Sequence, residues 1–558
     1  MNGKIQTSVL VVGAGPIGLS LALDLAWRGV DCILIDQGDG TMPHSKIGLI
    51  SVRSMELFRR WGMVDRVRQC GFPDDYPLNM VFCTSLAGYT IGISEYPSSR
   101  DDLPTSVSPE TKQRCPQLWL DPILAKCVGE YERARILYHC ELLSFEQAAD
   151  GVMAQTRDVR TGETLTIEAR YLVGTDGARS TVRRALGIRM EGDPALSHSM
   201  SIYIRSPGLL KYHDKGPAER YLMVASDGLW GNLTVIDGDA LWRLTVLGSA
   251  TRPEAGEFDA RAWVLRCFGT DTIPFEIDAV LPWRRSRLVA ERFGRGHVFM
   301  AGDAVHTMSP TGGFGMNTGI ADVADLGWKL EAVLRGWGDS DLLESYDAER
   351  RPAGWRNVNA AADNFQRLIT EMDFSQVNDA NASGDQARRV LGAQLKEATR
   401  REWEVTGVAL GYRYENSPIC IPDGTPPTPD DSITYVPTAR PGHRAPHAYL
   451  PDGRSTLDLF GRGYVLLNLG ADAGDVDALD QAARFRHVPL AIVPIGDEKI
   501  AELYERKLVL VRPDGHVAWR ANELERDSHE LIDVVRGAGK SFGAAMPAAT
   551  KEARRAGA

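Results

Sequence analysis

The sequence has no apolar run near the roughly 18 residues needed to cross a bilayer, no leader pattern ahead of its first strand, and no internal repeat. A spanning helix, a secretory route and a solenoid are therefore not expected. Positive charge is in deficit: 63 Lys and Arg stand against 74 Asp and Glu, a formal charge of −11. No basic stripe offsets it, which argues against a nucleic-acid partner, because phosphates need a positive field. The eight cysteines (Cys32, Cys70, Cys83, Cys115, Cys127, Cys140, Cys267, Cys420) form neither a CxxC pair nor a metal-ligand spacing. No metal site is expected, and the thiols read as reduced and mostly buried, as in a cytoplasmic protein. What remains is globular material, 43% apolar and 25% charged over 558 residues, long enough for two or three domains.

Three glycine-rich turns punctuate this material. Ser8–Val12 is a short apolar strand leading into Gly13-Ala14-Gly15-Pro16-Ile17-Gly18, then a helix pattern to Trp27 and a second strand, Asp31–Ile35, ending at Asp36. The first glycine permits the tight turn, the second lets a pyrophosphate approach the backbone, and the third lets helix and strand pack closely. Asp36 is placed to bond an adenosine ribose. A second turn, Gly174-Thr175-Asp176-Gly177-Ala178-Arg179-Ser180, follows the strand Ala169–Val173 and precedes a helix near Thr181. The third is GHVFMAGDAVHTMSPTGGFGMNTG, Gly296–Gly319: a strand His297–Ala301, Gly302-Asp303 at its end, and a turn whose glycines let backbone lie against a flat ligand before a helix begins.

Between these turns the assignments divide. Ser51 opens an amphipathic helix whose Arg53 is either a phosphate ligand or a solvated charge, and Gln117 either reaches a cofactor ring or caps the helix pattern Leu118–Val128. From Arg183 to Trp283 apolar and polar residues alternate, the mark of an antiparallel sheet. Tyr203, Arg205, His213, Tyr221 and Met223 on it are candidates to line a pocket with residues near Leu49 and Pro310. Trp355–Glu404 is helical in pattern, and Pro418–Pro446, with eight prolines, reads as an extended linker. Beyond it, strands in STLDLFGRGYVLLNLG, RHVPLAIVPI and KLVLVRPDGHVAWRA surround a helix from Asp475 to Arg484, with Asp514-Gly515 as a hairpin turn.

GAGPIG, DGARSTVR (Asp176–Arg183) and AGDAVH with PTGGFGMNTG (Ala301–Gly319), in this order and spacing, resemble the three fingerprints of the class A FAD-dependent aromatic hydroxylases, the family of para-hydroxybenzoate hydroxylase and phenol hydroxylase. The likeness runs over roughly residues 5 to 360, and LLESYDAERRP resembles the helical segment that follows the flavin core. It implies an α/β chain with a Rossmann-type FAD-binding domain (1–76, 107–190, 285–370), an interleaved antiparallel β-sheet substrate domain (77–106, 191–284), a helical segment and linker (371–430), a thioredoxin-like α/β domain (431–540) and a disordered tail (541–558). Cofactor contacts fall on Gly13, Gly15, Gly18, Asp36, Lys46, Arg53, Gln117, Asp176, Asp303, Pro310, Gly313, Gly315, Met316 and Asn317, with the catalytic layer at Arg205, His213, Tyr221 and Pro310. Lys46 stands where many relatives carry Arg, a point charge in place of a bidentate fork. Gly48 stands where phenol hydroxylases carry an acid, which leaves His306 or His44 as imaginable substitutes.

The implied reaction is hydroxylation of a phenolic ring through a flavin C4a-hydroperoxide, with O2 and NAD(P)H, NADPH favoured, by a single-component cytoplasmic homodimer. Another flavin enzyme of the same fold is the alternative, an oxidase or a halogenase, although the WxWxIP stretch of halogenases is absent. A non-catalytic flavin-bound sensor is the third reading. The C-terminal domain has no CxxC, so packing or dimer support is expected of it rather than redox chemistry.

Overall fold

In the computed structural model, residues 3–46, 48–249, 258–368 and 372–539 are described; the expected tail 541–558 lies outside them. Three sheets organise the chain. The first runs Gly294–Arg295, Val298–Met300, Thr164–Gly174, Gly3–Val12, Cys32–Ile35, Ala134–Leu137, parallel from the second strand onward, with the hairpin Cys140–Ala148/Gly151–Asp158 attached to Thr164–Gly174. Its central strands are near-continuous apolar runs because helices cover them; Val9, Leu10 and Val11 have no exposed surface. Helix Pro16–Trp27 starts on a proline whose missing N–H costs nothing at that position.

The second sheet has eight strands, His306–Thr307, Glu276–Ala290, Met190–Arg205, Leu241–Ser249, Gly228–Val235, Arg220–Ala225, Met80–Cys83 and Thr90–Ser94. The predicted alternation is present, with one parallel pairing, Arg220–Ala225 on Met80–Cys83. Strand period two gives the sheet two different faces. Tyr203 pairs with Arg243, Arg243 with Thr234 and Thr234 with Arg220, while Ile202, Leu244, Leu233 and Tyr221 pair on the other side. The apolar face is buried together with Val264, Cys267 and Phe268 of helix Ala260–Phe268. The polar face turns toward residues 44–46: the Tyr203 hydroxyl donates to the Ser45 carbonyl at 3.3 Å and Arg243 to that of Lys46.

The third sheet, Leu490–Pro494, Tyr464–Asn468, Leu508–Val511, Val517–Ala521, carries helices Ala473–Phe485 and Ser528–Val535, an α/β arrangement with Asp514-Gly515 in the expected hairpin turn. Helices Asp341–Leu368 and Ala382–Trp403 join it to the core. The proline-rich linker departs from expectation. It forms no helix or strand, yet it is packed, with Ile419, Ile421, Ala439 and Arg444 almost wholly buried. Arg444 reaches back to Glu56, with its Nε 3.0 Å from the carboxylate. A side chain anchored in that way holds an extended segment against the surface.

Candidate active site

The first turn closes because two glycines carry no side chain. Gly13 has φ of +105°, and a Cβ there would lie 2.6 Å from the Thr175 carbonyl oxygen. On Gly18 a Cβ would lie 1.9 Å from the Gly13 carbonyl oxygen. Gly15 differs: nothing lies within 4 Å of its Cβ position, so its bareness opens space instead of allowing packing. No side chain caps the helix that starts here, so its first N–H groups remain available to an anion. Asp36 accepts from the Ala14 and Gly38 N–H groups, each at 2.7 Å, and keeps lone pairs for a hydroxyl.

The second turn supports the first. The Thr175 hydroxyl lies 2.9 and 2.8 Å from the carbonyl oxygens of Val12 and Gly13, a role that sequence reasoning missed although Thr175 stands in the turn motif. Asp176 accepts from the N–H groups of Thr181 and Val182 at 2.7 and 3.1 Å, which makes it a cap of the short helix Thr181–Ala185. Arg183 donates to the Ala304 carbonyl at 2.7 Å and so joins this turn to the third.

In the third turn the Asp303 side chain is exposed to solvent. Desolvation by the protein around it still pushes its carboxyl up, against the pull of His306 and Lys46. Gly315 stands over it, with a Cβ position 4.0 Å from Asp303 Oδ1. Gly312 and Gly313 take φ of +85° and +67°, and Gly313 is the uncapped start of helix Phe314–Leu334. Asn317 clamps the turn: its Oδ1 accepts from Ser51 N at 2.9 Å and Ser54 Oγ at 2.7 Å, and its Nδ2 donates to Leu49 O at 3.2 Å and Gly313 O at 2.8 Å. Pro310 is exposed at the turn's tip, and Met316 is buried beneath it.

The remaining predicted contacts scatter. Lys46 is exposed, with its charge felt at Asp303 and Asp121. Gln117 is the first residue of helix Gln117–Gly129 and does not cap it; its Nε2 donates to Asp121 one turn on, at 3.0 Å. The other oxygen of Asp121 is buried without a partner, and burial raises this carboxyl to about 7. Arg53 is neither solvated nor free: it donates to Glu56 at 2.9 Å, Asp514 O at 2.8 Å and the Tyr412 hydroxyl at 3.2 Å.

Strand alternation corrects the substrate-facing set. Tyr221 and Met223 point to the apolar face with Cys83, away from residues 44–46, and His213 packs edge-on against Tyr221 with ring centroids 5.4 Å apart. Burial and Lys215 push the His213 imidazole down to about 4, which removes it as a cation near neutral pH. Arg205 ends its strand at the surface in an ion pair with Asp278 at 3.1 Å. Of the five candidates, Tyr203 alone reaches the loop at residues 44–46, where its ring lies 4.8 Å from that of His44. His306 is fully buried, with Nε2 2.7 Å from Asp322, and so faces no substrate.

A cavity of about 670 Å³ opens beside the third turn. Leu49, Gly312, Phe314 and Asn317 line it from the third-turn side, and Tyr96, Asp102, Lys112, Trp403, Glu404 and Tyr412 are among the other lining residues. These come from the loop before Gln113 and from chain beyond residue 400, where neither periodicity nor motif spacing marks a binding residue. Among the described residues no group of His, Cys, Asp or Glu could hold a metal, and no helix is long and apolar enough to cross a membrane.

Comparison with known proteins agrees with this architecture. A family model for the FAD binding domain matches residues 6–361, and one for the aromatic-ring hydroxylase C-terminal region matches 438–544. The 2,4-dichlorophenol 6-monooxygenase of Cupriavidus pinatubonensis is 32% identical, over 95% of this chain and 96% of its own. The structure of RebC soaked with chromopyrrolic acid, with bound 7-carboxy-K252c, superposes with a TM-score of 0.90 at 41% identity, covering 96% of this chain and all of that one. The flavin-dependent monooxygenase PieE, in complex with FAD and substrate, gives a TM-score of 0.86 at 31% identity, over 96% and 99%. With its glycine turns, its polar sheet face and its C-terminal domain each in place, the chain belongs to the FAD-dependent aromatic-ring hydroxylases.

Proposed function

We propose that the protein hydroxylates a phenolic aromatic compound with O2 as oxidant and NAD(P)H, NADPH favoured, as electron donor. The observation that carries the reading is proximity: Cβ positions on Gly302 and Gly319 would lie 3.0 and 2.6 Å from the Ile17 side chain and that on Gly315 4.0 Å from Asp303 Oδ1, so the turns at 13–18, 302–303 and 310–317 meet near two uncapped helix N-termini, and the third turn borders an aromatic-lined cavity. Bound FAD supplies the activation of oxygen that no side chain here can provide.

The chain's own groups then have defined tasks. Gly13, Gly15 and Gly18 with the start of helix Pro16–Trp27 would take the pyrophosphate, and Asp36 the adenosine ribose. Asp303, an acceptor in the third turn, suits the ribityl hydroxyls. Gly315, Met316 and Asn317 open helix Phe314–Leu334, whose first N–H groups suit a flavin carbonyl edge that gains electron density. Pro310 and Gly313 shape the backbone there. The apolar walls Leu49, Phe314 and Val408 would exclude water from the reacting atoms.

With His213, Tyr221 and Arg205 elsewhere, Tyr203, bonded to the Ser45 carbonyl, and Lys46, whose charge acts at Asp303, are the polar groups left from the predicted set on this side of the sheet. The buried, unbridged cysteines fit a reducing cytoplasm, and a homodimer is the expected assembly. The test is a library of phenols screened for stimulated NADPH consumption, with mass spectrometry of the products. Product carrying one added oxygen in proportion to the O2 consumed supports hydroxylation; O2 consumption that yields only hydrogen peroxide with every phenol contradicts it.

A further inference from the structure

Lys112 occupies an unusual position in the 670 Å³ cavity. It is largely buried, and its ammonium sits 4.1 Å over the Trp403 ring and 5.7 Å from that of Tyr96, two rings whose centroids are 4.6 Å apart. Among the described residues no carboxylate forms an ion pair with it. Two acids act on it through space without touching it: Glu404, which also accepts from Arg400 at 3.1 Å, and Asp102, whose carboxyl burial raises. The cavity's other cations are committed, Arg53 to Glu56 and Asp514 O, Arg350 to Asp322 at 2.9 Å. Lys112 is thus the cation of this compartment with no carboxylate in contact, and burial pushes it down to about 8 against the pull of Asp102 and Glu404, so much of it stays charged near neutral pH.

A partly desolvated ammonium with no contact ion pair retains N–H donors for a further acceptor. The aromatic pair beneath it offers partial compensation through the ring quadrupoles and leaves its remaining N–H donors directed elsewhere. Tyr96 and Trp403 also offer ring surface to a flat ligand, and the volume exceeds what one benzene ring fills. We propose that this cavity binds an anionic aromatic compound of more than one ring, its carboxylate or phenolate held by Lys112 over the Tyr96–Trp403 pair. The proposal rests on the hydroxylase reading of the compartment, but its test requires no turnover.

The experiment is calorimetric titration of the FAD-loaded protein with 2-naphthoate and with its neutral counterpart of equal shape, 2-naphthamide. Wild type is expected to bind naphthoate at least about ten-fold more tightly than naphthamide. Lys112→Met should weaken naphthoate by about ten-fold or more and shift naphthamide by less than about three-fold, and Lys112→Arg should retain most of the naphthoate affinity. Equal affinities in wild type, a naphthoate preference that survives Lys112→Met, or no binding of either compound at millimolar concentration overturns the proposal. If Lys112→Met does not fold, the wild-type preference and the Lys112→Arg titration decide. A naphthoate preference in a protein that hydroxylates no phenol would sink the proposed function and leave this inference standing; hydroxylation of a neutral phenol with equal naphthoate and naphthamide affinities would do the reverse.

Discussion

The seam between the C-terminal domain and the FAD-binding half, and the cleft between the glycine turns, are both polar, but they treat polar groups in opposite ways. At the seam the charges are paired in contact, although burial still raises the Asp325 carboxyl. Arg512 donates to Glu349 at 2.6 Å, Asp325 at 2.9 Å and Asp514 at 2.7 Å, and Lys329 meets Asp325 at 2.7 Å and Glu349 at 2.6 Å. Burial works against ionising Glu349, yet Arg512 and Lys329 more than offset it and hold its carboxyl down to about 2. In the cleft the groups lack such partners: two helix N-termini stand uncapped, Asp303 is raised by desolvation, and Gly15 faces open space. Helices away from the cleft show that capping was available, since Asn381, Asp472 and Asp527 each cap one. Satisfied polarity fixes one domain against another, whereas polarity left open marks where a ligand belongs.

Four substitutions can break or sharpen this contrast. The largest effect is expected at Gly18→Val: with a Cβ 1.9 Å from the Gly13 carbonyl oxygen, FAD affinity should fall by at least roughly 100-fold, read by flavin absorbance after gel filtration. At the seam, Arg512→Met leaves the buried Asp325 and Glu349 to Lys329 alone and Asp514 without its guanidinium, and should cost about 3–5 kcal/mol in a denaturant titration. An FAD dissociation constant that moves as far as Gly18→Val moves it would show that the two regions are not separable.

Asp121→Asn supplies a pH test. The wild-type carboxyl is raised to about 7 by burial, so the folded state holds its proton more tightly than the unfolded state does. That stabilising contribution is complete below the unfolded pKa, near 4, and is lost as pH rises toward 7. Asparagine, which carries no charge, should therefore be more stable than wild type by about 1–2 kcal/mol at pH 8 and by less at pH 5. A variant less stable than wild type at pH 8 would show that Asp121 is ionised and matched by a charge. The smallest effect is expected at Arg205→Ala, a surface pair with Asp278 at the strand's end, where stability should change by less than about 1 kcal/mol and steady-state turnover not at all.

Legibility in the sequence follows the same division. Gly13, Gly18, Gly312 and Gly313 are constrained by backbone geometry, which writes itself into the chain as glycine at fixed spacing, so the turns and the strands feeding them were readable. Alternation disclosed the second sheet but not which face meets the flavin side; without that, Tyr203 and Tyr221 look equivalent although they point in opposite directions. Arg53 read as a surface or phosphate-binding charge because its partners, Tyr412 and Asp514, lie hundreds of residues away. The cavity wall at Lys112, Trp403 and Tyr435 has the same origin: a packed linker brings remote side chains together, and no local pattern records it.

The most direct test of the central claim is titration of the FAD-free protein with FAD, following flavin absorbance and thermal stability together. The account predicts saturation at one FAD per chain, a yellow protein after gel filtration, and a melting temperature that rises with FAD concentration. A folded protein that stays colourless and whose melting temperature ignores added FAD would contradict it.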